Sequence, residues 1–188
     1  SYCNPDNYAE YSINNIASGI VGDGYTTITI SQCYNTGDIS VEATSYSKQY
    51  SGYASGISYD CTILDCYNTG KVEAVSASAS GHSFAFGIGG TPSRCYNVGT
   101  VSAQNINYAI SSSESTNCYY LDGTGHGSTG AVALTEAQMK SKTLFFGFDF
   151  TNVWTLNKFA NHPYPQLINN VQDLNESALF RGRQRRNI

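Results

Sequence analysis

Hydrophobic and polar positions recur along this chain in a fixed order. Each unit has a strand of small residues that ends in Ala-x-Gly-Ile, a variable turn, a Cys-Tyr-Asn strand, and a strand with alternating apolar positions. The Cys-Tyr-Asn element occurs at 33–35, 66–68 and 95–97, and a weaker Cys-Tyr-Tyr copy occurs at 118–120. Successive cysteines lie 33, 29 and 23 residues apart. Strands of fixed length joined by loops of variable length tolerate this irregular period, so the pattern predicts stacked β-strand repeats.

Alternation within a unit predicts which side chains are buried. In Leu64-Asp65-Cys66-Tyr67 a period of two places Leu64 and Cys66 on one face and the other two residues on the opposite face. We therefore predict an inward cysteine ladder and an outward tyrosine ladder. The cysteine ladder is Cys33, Cys66, Cys95 and Cys118, and the tyrosine ladder is Tyr34, Tyr67, Tyr96 and Tyr119.

The Asn-x-Gly segment after each tyrosine predicts a corner, because Asn bonds its local backbone and Gly adopts unusual dihedral angles without steric cost. Stacked corners would let the asparagine side chains hydrogen-bond to one another as an asparagine ladder, formed by Asn35, Asn68 and Asn97. The predicted fold class is all-β, a right-handed parallel β-helix or close β-solenoid relative with a small C-terminal α+β cap.

We divide the chain into a repeat array at 1–123, a linker and cap at 124–168, and a tail at 169–188. Residues 124–133 are Gly-rich and are predicted to form a flexible linker. Thr135 and Gln138 form a capping-box pattern that predicts a helix from about residue 136 to 141 or 142. Residues 134–168, here called the cap, are predicted to plug the open end of the array. Its plugging residues are Trp154, Phe146 and Phe148.

The Cys-Tyr-Asn-x-Gly-x-Val units and their preceding Gly-Ile pairs resemble the GLUG-motif repeats of bacterial surface proteins. Such repeats also occur beside the catalytic part of IgA-specific metalloendopeptidases. The resemblance covers roughly residues 15–168 and implies a non-catalytic extension. It does not imply the protease activity, because that activity needs a His-Glu-x-x-His motif. The histidines of this chain are His82, His126 and His162, and they do not form one.

Composition narrows the functional classes. Charged residues make up 13% of the chain, which contains 18 Gly and 15 Tyr, as is typical of extracellular β-rich proteins. The net charge of −4 argues against a nucleic-acid partner. No apolar run approaches the length of a membrane span, so we expect no membrane insertion. Because the chain begins in mid-repeat, we interpret it as a piece of a longer secreted precursor at the bacterial cell surface.

The six cysteines are even in number, which in a secreted chain suggests disulfides. Stacked equivalent cysteines have nearly parallel Cβ vectors, however, and disulfide geometry needs the two Cβ atoms turned towards each other. We therefore predict a ladder of free thiols that pack as small hydrophobic groups. Cys3 and Cys61 lie outside the repeat register, and their pairing stays open. Without a CxxC pair or a matching His pair, we expect no metal and no cofactor.

The tyrosine ladder is the predicted binding feature, because stacked exposed aromatic rings suit sugar rings or another protein. Alternatively, the inter-unit loops at 42–52 and 76–83 cover it, or it only stabilises the stack. The cap phenylalanines are a second candidate groove. The outward acids do not recur from unit to unit, which favours surface charge over a catalytic pair. These acids are Asp38, Asp60, Asp65 and Glu73.

Three functional hypotheses follow. The favoured one is a non-enzymatic extracellular module, an adhesin or stalk that binds host glycan or protein, or other domains of its parent chain. The second is a polysaccharide-active β-helix enzyme. The third is a binding fragment whose specificity lies in the cap and in a basic tail, which is otherwise a solvated segment or a protease processing site. The basic residues of the tail are Arg181, Arg183, Arg185 and Arg186.

Overall fold

The computed structural model describes residues 13–22, 28–43, 50–77, 81–156 and 162–170, and most of its regular structure is short strands. The strands are β1 (Ile13–Ser18), β2 (Thr29–Ser31), β3 (Tyr34–Asn35), β4 (Ile39–Ala43), β5 (Tyr50–Ser55), β6 (Thr62–Leu64), β7 (Tyr67–Asn68), β8 (Val72–Ser76), β9 (His82–Phe86), β10 (Thr91–Ser93), β11 (Tyr96–Asn97), β12 (Val101–Ala103), β13 (Ile106–Tyr108), β14 (Cys118–Leu121), β15 (Ala131–Leu134), β16 (Trp154–Thr155) and β17 (Gln166–Leu167). The helices are α1 (Glu136–Met139) and the 3₁₀ helices Lys142–Leu144 and Ile168–Asn170.

Four parallel sheets take equivalent strands from successive repeat units. Their strand orders are β1-β5-β9-β13, β2-β6-β10, β3-β7-β11-β14-β15 and β4-β8-β12. The register joins equivalent residues, so that Tyr34, Tyr67 and Tyr96 are successive partners. A separate antiparallel pair, β16 and β17, lies in the cap. The all-β class and the parallel stacking of the repeats are thereby confirmed.

The residue before each cysteine is a backbone corner. Gln32, Asp65, Arg94 and Asn117 all have positive φ angles, between 50° and 53°. A left-handed residue breaks the strict alternation of a strand. The prediction that Leu64 and Cys66 share a buried face is therefore wrong. Ile63 is the side chain that packs with Cys66 in the core, while Leu64 is only half-buried.

Two hydrophobic clusters fill the space between the sheets. The first contains isoleucines of the Gly-Ile pairs, such as Ile57 and Ile88, together with the cysteine ladder. The second contains alanines and valines of the first and fourth sheets, including Ala54 and Val72. The alternating burial of β8 confirms that Val72 and Ala74 point inward.

The asparagine ladder lies in the interior and forms as predicted. Asn35 Nδ2 donates to Asn68 Oδ1, and Asn68 Nδ2 donates to Asn97 Oδ1, both at 2.8 Å. Asn68 and Asn97 are completely buried. Gly56 lies directly against this ladder, since a Cβ placed there would come within 2.7 Å of Asn68 Cγ and 2.0 Å of the Gly87 carbonyl oxygen. The Gly-Ile corner therefore requires Gly for close approach.

Residues 124–133 do not form the predicted flexible linker. Ala131–Leu134 is the outermost strand of the third sheet and pairs in parallel with Cys118–Leu121. The amide of Ala109 donates to the His126 carbonyl oxygen at 2.8 Å, and Ser128 Oγ accepts from the amide of Ile110 at 3.0 Å. Backbone pairing thus continues the repeat stack through this glycine-rich segment, whose composition alone indicated a loop.

The predicted capping box is present. Thr135 Oγ1 accepts from the amide of Gln138, and Gln138 Oε1 accepts from the amide of Thr135. The α-helix that it starts ends at Met139, earlier than predicted, and a 3₁₀ turn follows. Cys3, with its possible pairing to Cys61, and the arginine tail at 181–186 lie outside the described residues.

Candidate functional site

The cysteine ladder packs as predicted. Cys66, Cys95 and Cys118 are fully buried, and the described cysteines, Cys61 among them, are free thiols. Each ladder thiol points towards the carbonyl oxygen two residues earlier, as Cys66 Sγ does towards Leu64 at 3.2 Å. Burial raises the pKa of the Cys95 thiol well above its ordinary value. The ladder therefore packs as part of the hydrophobic core.

The tyrosine ladder stacks but is not an exposed strip. Ring centroids of Tyr34 and Tyr67, and of Tyr67 and Tyr96, are 5.1 Å apart with nearly parallel planes. Tyr67 is 1% exposed, Tyr96 0% and Tyr119 4%, while Tyr34 is half-buried. The prediction of a binding surface on these four residues is wrong in its premise of exposure, because the cap covers most of the ladder.

The cap lies along the outer face of the third sheet, and the predicted end plug is corrected accordingly. Trp154 and Phe148 are buried against the tyrosine ladder, with Trp154 ring centroids 5.9 Å from Tyr96 and 6.1 Å from Tyr67. Phe146 is 71% exposed and does not belong to the plug. The remaining buried partners of the ladder are Leu134, Met139, Phe145 and Leu167.

A charged cluster joins the repeat stack to the cap. The Asp65 carboxylate accepts two bonds from the Arg94 guanidinium, at 2.8 and 2.7 Å, and a third from Trp154 Nε1 at 3.3 Å. Asp65 is 8% exposed, so this bidentate pair replaces the water that the carboxylate loses on burial. Asp65 and Arg94 occupy equivalent corners of adjacent units. Asp65 therefore helps to bind the cap to the repeat stack and is not a free acid.

His162 is buried where the end of the cap meets the tyrosine ladder. Its Nε2 lies 3.1 Å from Tyr96 Oη and 3.5 Å from the Pro165 carbonyl oxygen. The rings of Tyr67 and Tyr164 pack on it at 5.4 and 5.8 Å. Burial lowers the pKa of His162, and its bond to the Pro165 carbonyl opposes that shift only partly. The imidazole is therefore neutral in the folded protein near pH 7.

We expect acidification to loosen the cap through His162. The folded-state pKa lies below the unfolded value of about 6.5. The unfolded state therefore binds more protons, and stability is lost as the pH falls through this window. Urea unfolding should show a decline between pH 7 and pH 5 that His162→Gln reduces and the exposed-site control His126→Gln does not. An unchanged decline in His162→Gln would contradict this assignment.

An open aromatic groove of about 420 Å³ lies on the outer side of the first sheet. Its floor comes from three successive repeat units, because Tyr53, Phe84 and Ile106 are register partners, as are Phe86 and Tyr108. Ring centroids of Tyr53 and Phe84 are 4.8 Å apart, and their planes differ by 8°. The volume falls in the range of small-ligand sites.

The wall of the groove is built by the turns that follow the floor strands. Tyr59 leans over the floor, with its ring centroid 4.7 Å from Tyr53 and its plane tilted by 59°. The turns also contribute Asp60 and the serines Ser111, Ser112 and Ser113, and Thr91 at the start of β10 adds a further hydroxyl group. Gly90, with φ of 49°, allows its turn to pass close to the Cys61 carbonyl oxygen. Aromatic rings and hydroxyl groups therefore line one surface.

The sequence prediction missed this groove. A signal was present, because an aromatic residue precedes the buried alanine in Tyr53-Ala54 and in Phe84-Ala85, and further aromatic residues follow at Phe86 and Tyr108. Ala54 and Ala85 are completely buried, so their neighbours point to the opposite face. The Cys-Tyr-Asn copies are more regular, and for this reason the binding prediction was placed on the tyrosine ladder, which the cap covers.

No known protein family, curated protein or solved structure matches this chain at a significant level. The resemblance to GLUG repeats therefore stays a prediction. None of the helices in the described ranges has the length and apolar character of a transmembrane span. Across those same ranges, no group of three or more His, Cys, Asp or Glu side chains is arranged to hold a metal ion.

Proposed function

We propose that this chain is a non-enzymatic extracellular module, folded as a right-handed parallel β-helix, of a larger bacterial surface protein of the GLUG-repeat kind. The in-register pairing of equivalent strands in four parallel sheets supports the β-helix. Each added unit lengthens such a stack by about 4.8 Å, which suits a stalk. The low charge and the abundance of Gly and Tyr support the extracellular setting.

The aromatic groove carries the adhesive part of this proposal. It replaces the tyrosine ladder as the surface where a host glycan or protein binds, because most of its rings are only half-buried, whereas those of Tyr67 and Tyr96 are covered by the cap. The groove is made of side chains from three repeat units, so its integrity depends on their stacking. This dependence connects the repeat architecture with binding.

The acids of the repeat region support a binding role over catalysis. Asp65 is bonded to Arg94, Glu73 pairs with Lys71 at 2.9 Å, and Asp38 accepts from the Lys71 amide. Glycoside hydrolysis uses two carboxyl groups that flank the scissile bond. Among the described residues that line the groove, Asp60 is the one carboxylate. A polysaccharide-active enzyme remains the alternative to be tested.

The proposal is tested with the whole chain, labelled and incubated with epithelial cells and with soluble polysaccharides. We expect saturable binding to cells and no new reducing ends in the polysaccharides over hours. Release of reducing ends or unsaturated products would overturn the non-enzymatic assignment. Absence of binding to cells, together with absence of hydrolysis, would leave a stalk and overturn the adhesive part.

A further inference from the structure

We infer that the first described repeat unit is a docking surface for a further Cys-Tyr-Asn-x-Gly repeat unit of the parent protein. The inference rests on the proposed stalk role, and it specifies which end of the stack is extended and by what chemistry. The surface is the side of the first unit that points away from the second, and we call it the N-terminal face. Its residues are Ile20, Asn35, Thr36 and Gly37.

The hydrophobic core is open at the N-terminal face. Four isoleucines form one column, in which the amide of each donates to the carbonyl oxygen of the next. Ile57, Ile88 and Ile110 are completely buried. Ile20, the first member of the column, is 44% exposed. A unit stacked on this end would remove the Ile20 side chain from water as the later units do for its equivalents.

The corner glycines indicate where a neighbouring unit is expected. A Cβ placed on Gly70 would collide with the Gly37 carbonyl oxygen, and one placed on Gly99 would collide with that of Gly70. Glycine is needed at both corners because the preceding unit passes directly over them. At Gly37, whose φ is not positive, a Cβ would meet nothing in the described part of the chain nearer than Asn35 Oδ1 at 3.6 Å. A preceding unit would explain this glycine.

The asparagine ladder has an acceptor for a preceding unit. Asn97 Oδ1 accepts twice, from the Gly99 amide at 3.1 Å and from Asn68 Nδ2 of the preceding unit at 2.8 Å. Asn35 Oδ1 accepts from the Gly37 amide at 3.2 Å, and its second lone pair suits the same kind of side-chain donor. The ladder can therefore be extended at Asn35 by another asparagine.

A backbone donor at the N-terminal face also repeats the pattern of the later units. The Thr69 amide donates to the Asn35 carbonyl oxygen at 2.9 Å, and the Val98 amide donates to that of Asn68 at 3.0 Å. The equivalent amide of Thr36 has no acceptor among the residues that the structure describes. A sheet edge with such a donor is a template for a further strand.

The opposite end of the stack does not offer complementary chemistry. Tyr120 and then Ala133 follow Asn97 in the asparagine column. A second copy that placed this end on the N-terminal face would bring no side-chain amide to Asn35. The occupant that fits is therefore a unit with the full motif, and not an identical chain associated head to tail.

The test adds a biotinylated peptide of residues 62–76, which comprise β6, β7 and β8 of one unit, to the whole chain under reducing conditions. We expect saturable binding and a decrease of about tenfold or more in hydrogen exchange at the Thr36 amide. The same peptide with Asn68→Ala should bind about tenfold more weakly, because it lacks the side-chain amide that would donate to Asn35.

Gly37→Ala in the whole chain is the matched protein variant. The described contacts leave space for its methyl group, and alanine restricts the unfolded state, so the urea midpoint should be unchanged or slightly higher. Peptide binding should fall by about tenfold or more, because the methyl group would collide with the peptide backbone. Gly70→Ala, the same change one unit later, should lower the urea midpoint, because the Gly37 carbonyl oxygen already fills that space.

Four results would overturn the inference. The first is an absence of peptide binding, and the second is peptide binding that Gly37→Ala does not weaken. The third is a lowered urea midpoint in Gly37→Ala, which would mean that another part of this chain already covers the N-terminal face. The fourth is a dimer in analytical ultracentrifugation that Gly37→Ala dissociates, which would make a second copy the occupant.

Binding to epithelial cells separates this inference from the proposed function. Gly37 does not line the aromatic groove, so Gly37→Ala should bind cells as the unchanged chain does. Cell binding without peptide binding would overturn the docking surface and keep the adhesive module. Peptide binding without cell binding would keep the docking surface on a stalk and overturn adhesion. Absence of both would overturn both.

Discussion

Trp154→Ala should lower the free energy of unfolding by about 3–5 kcal/mol, a large part of the total for a domain of this size. Trp154 is completely buried, and its ring lies 4.6 Å from Phe148, between centroids, and within about 6 Å of Tyr67 and Tyr96. Its removal leaves a cavity between the cap and the tyrosine ladder. It also takes one donor from the buried carboxylate of Asp65. Urea unfolding monitored by circular dichroism measures the loss.

Phe146→Ala is the matched control for this prediction. Phe146 belongs to the same cap but is 71% exposed, so its truncation should change the free energy of unfolding by about 0.5 kcal/mol or less. If Trp154→Ala and Phe146→Ala had equal small effects, the cap would not be docked on the tyrosine ladder as described. If both were severe, Phe146 would be buried in the folded protein.

Asn68→Ala is the second change with a large expected effect, a loss of about 2–4 kcal/mol. Asn68 Nδ2 donates to the Gly70 carbonyl oxygen and to Asn97 Oδ1, each at 2.8 Å. Its own Oδ1 accepts from Asn35 Nδ2. Asn68 and Asn97 have no exposed surface. The polar groups that lose their hydrogen-bond partner when the Asn68 side chain is removed therefore cannot bond to water instead.

Asn35→Ala provides the internal control. Asn35 is the described end of the same ladder and is half-buried, so its removal opens its acceptor, Asn68 Oδ1, to water from the exposed side. We expect a loss of about 1 kcal/mol or less. Equal effects at the two positions would mean that the ladder does not derive its stability from burial. The variants differ only in their place along the stack, which makes the comparison direct.

Sequence alone predicted the repeat stack because its constraints are local and recur. In each unit, a Gly is needed where the backbone passes close to the asparagine ladder, and a Cys packs in the core against the equivalent residue of the next unit. The same need in every unit appears in the sequence as a repeated motif. The four residues before the cysteines were harder to interpret. Gln32, Asp65, Arg94 and Asn117 share a backbone angle and not a chemical type, and the period of two placed Asp65 on the outward face of a strand.

The candidate site was misplaced because contacts with the cap are not periodic. Tyr67 and Trp154 come into contact only in the folded chain, and no repeat pattern indicates that the cap lies along a sheet face. The exposed face could be located only after the covered one was known. The groove aromatics Tyr53, Phe84 and Tyr108 sit in the less regular half of each unit, where the spacing varies most.

One measurement tests most directly the claim that the groove, and not the tyrosine ladder, is the accessible aromatic surface. The folded protein is treated with tetranitromethane, which modifies accessible tyrosinate, and the nitrated peptides are identified by mass spectrometry. Burial raises the pKa of Tyr67 and Tyr96, which adds to their protection. We predict nitration at Tyr59 and Tyr108 and none at Tyr67 and Tyr96. Equal nitration of Tyr67 and Tyr96 in the folded protein would contradict the account and would return the binding surface to the ladder.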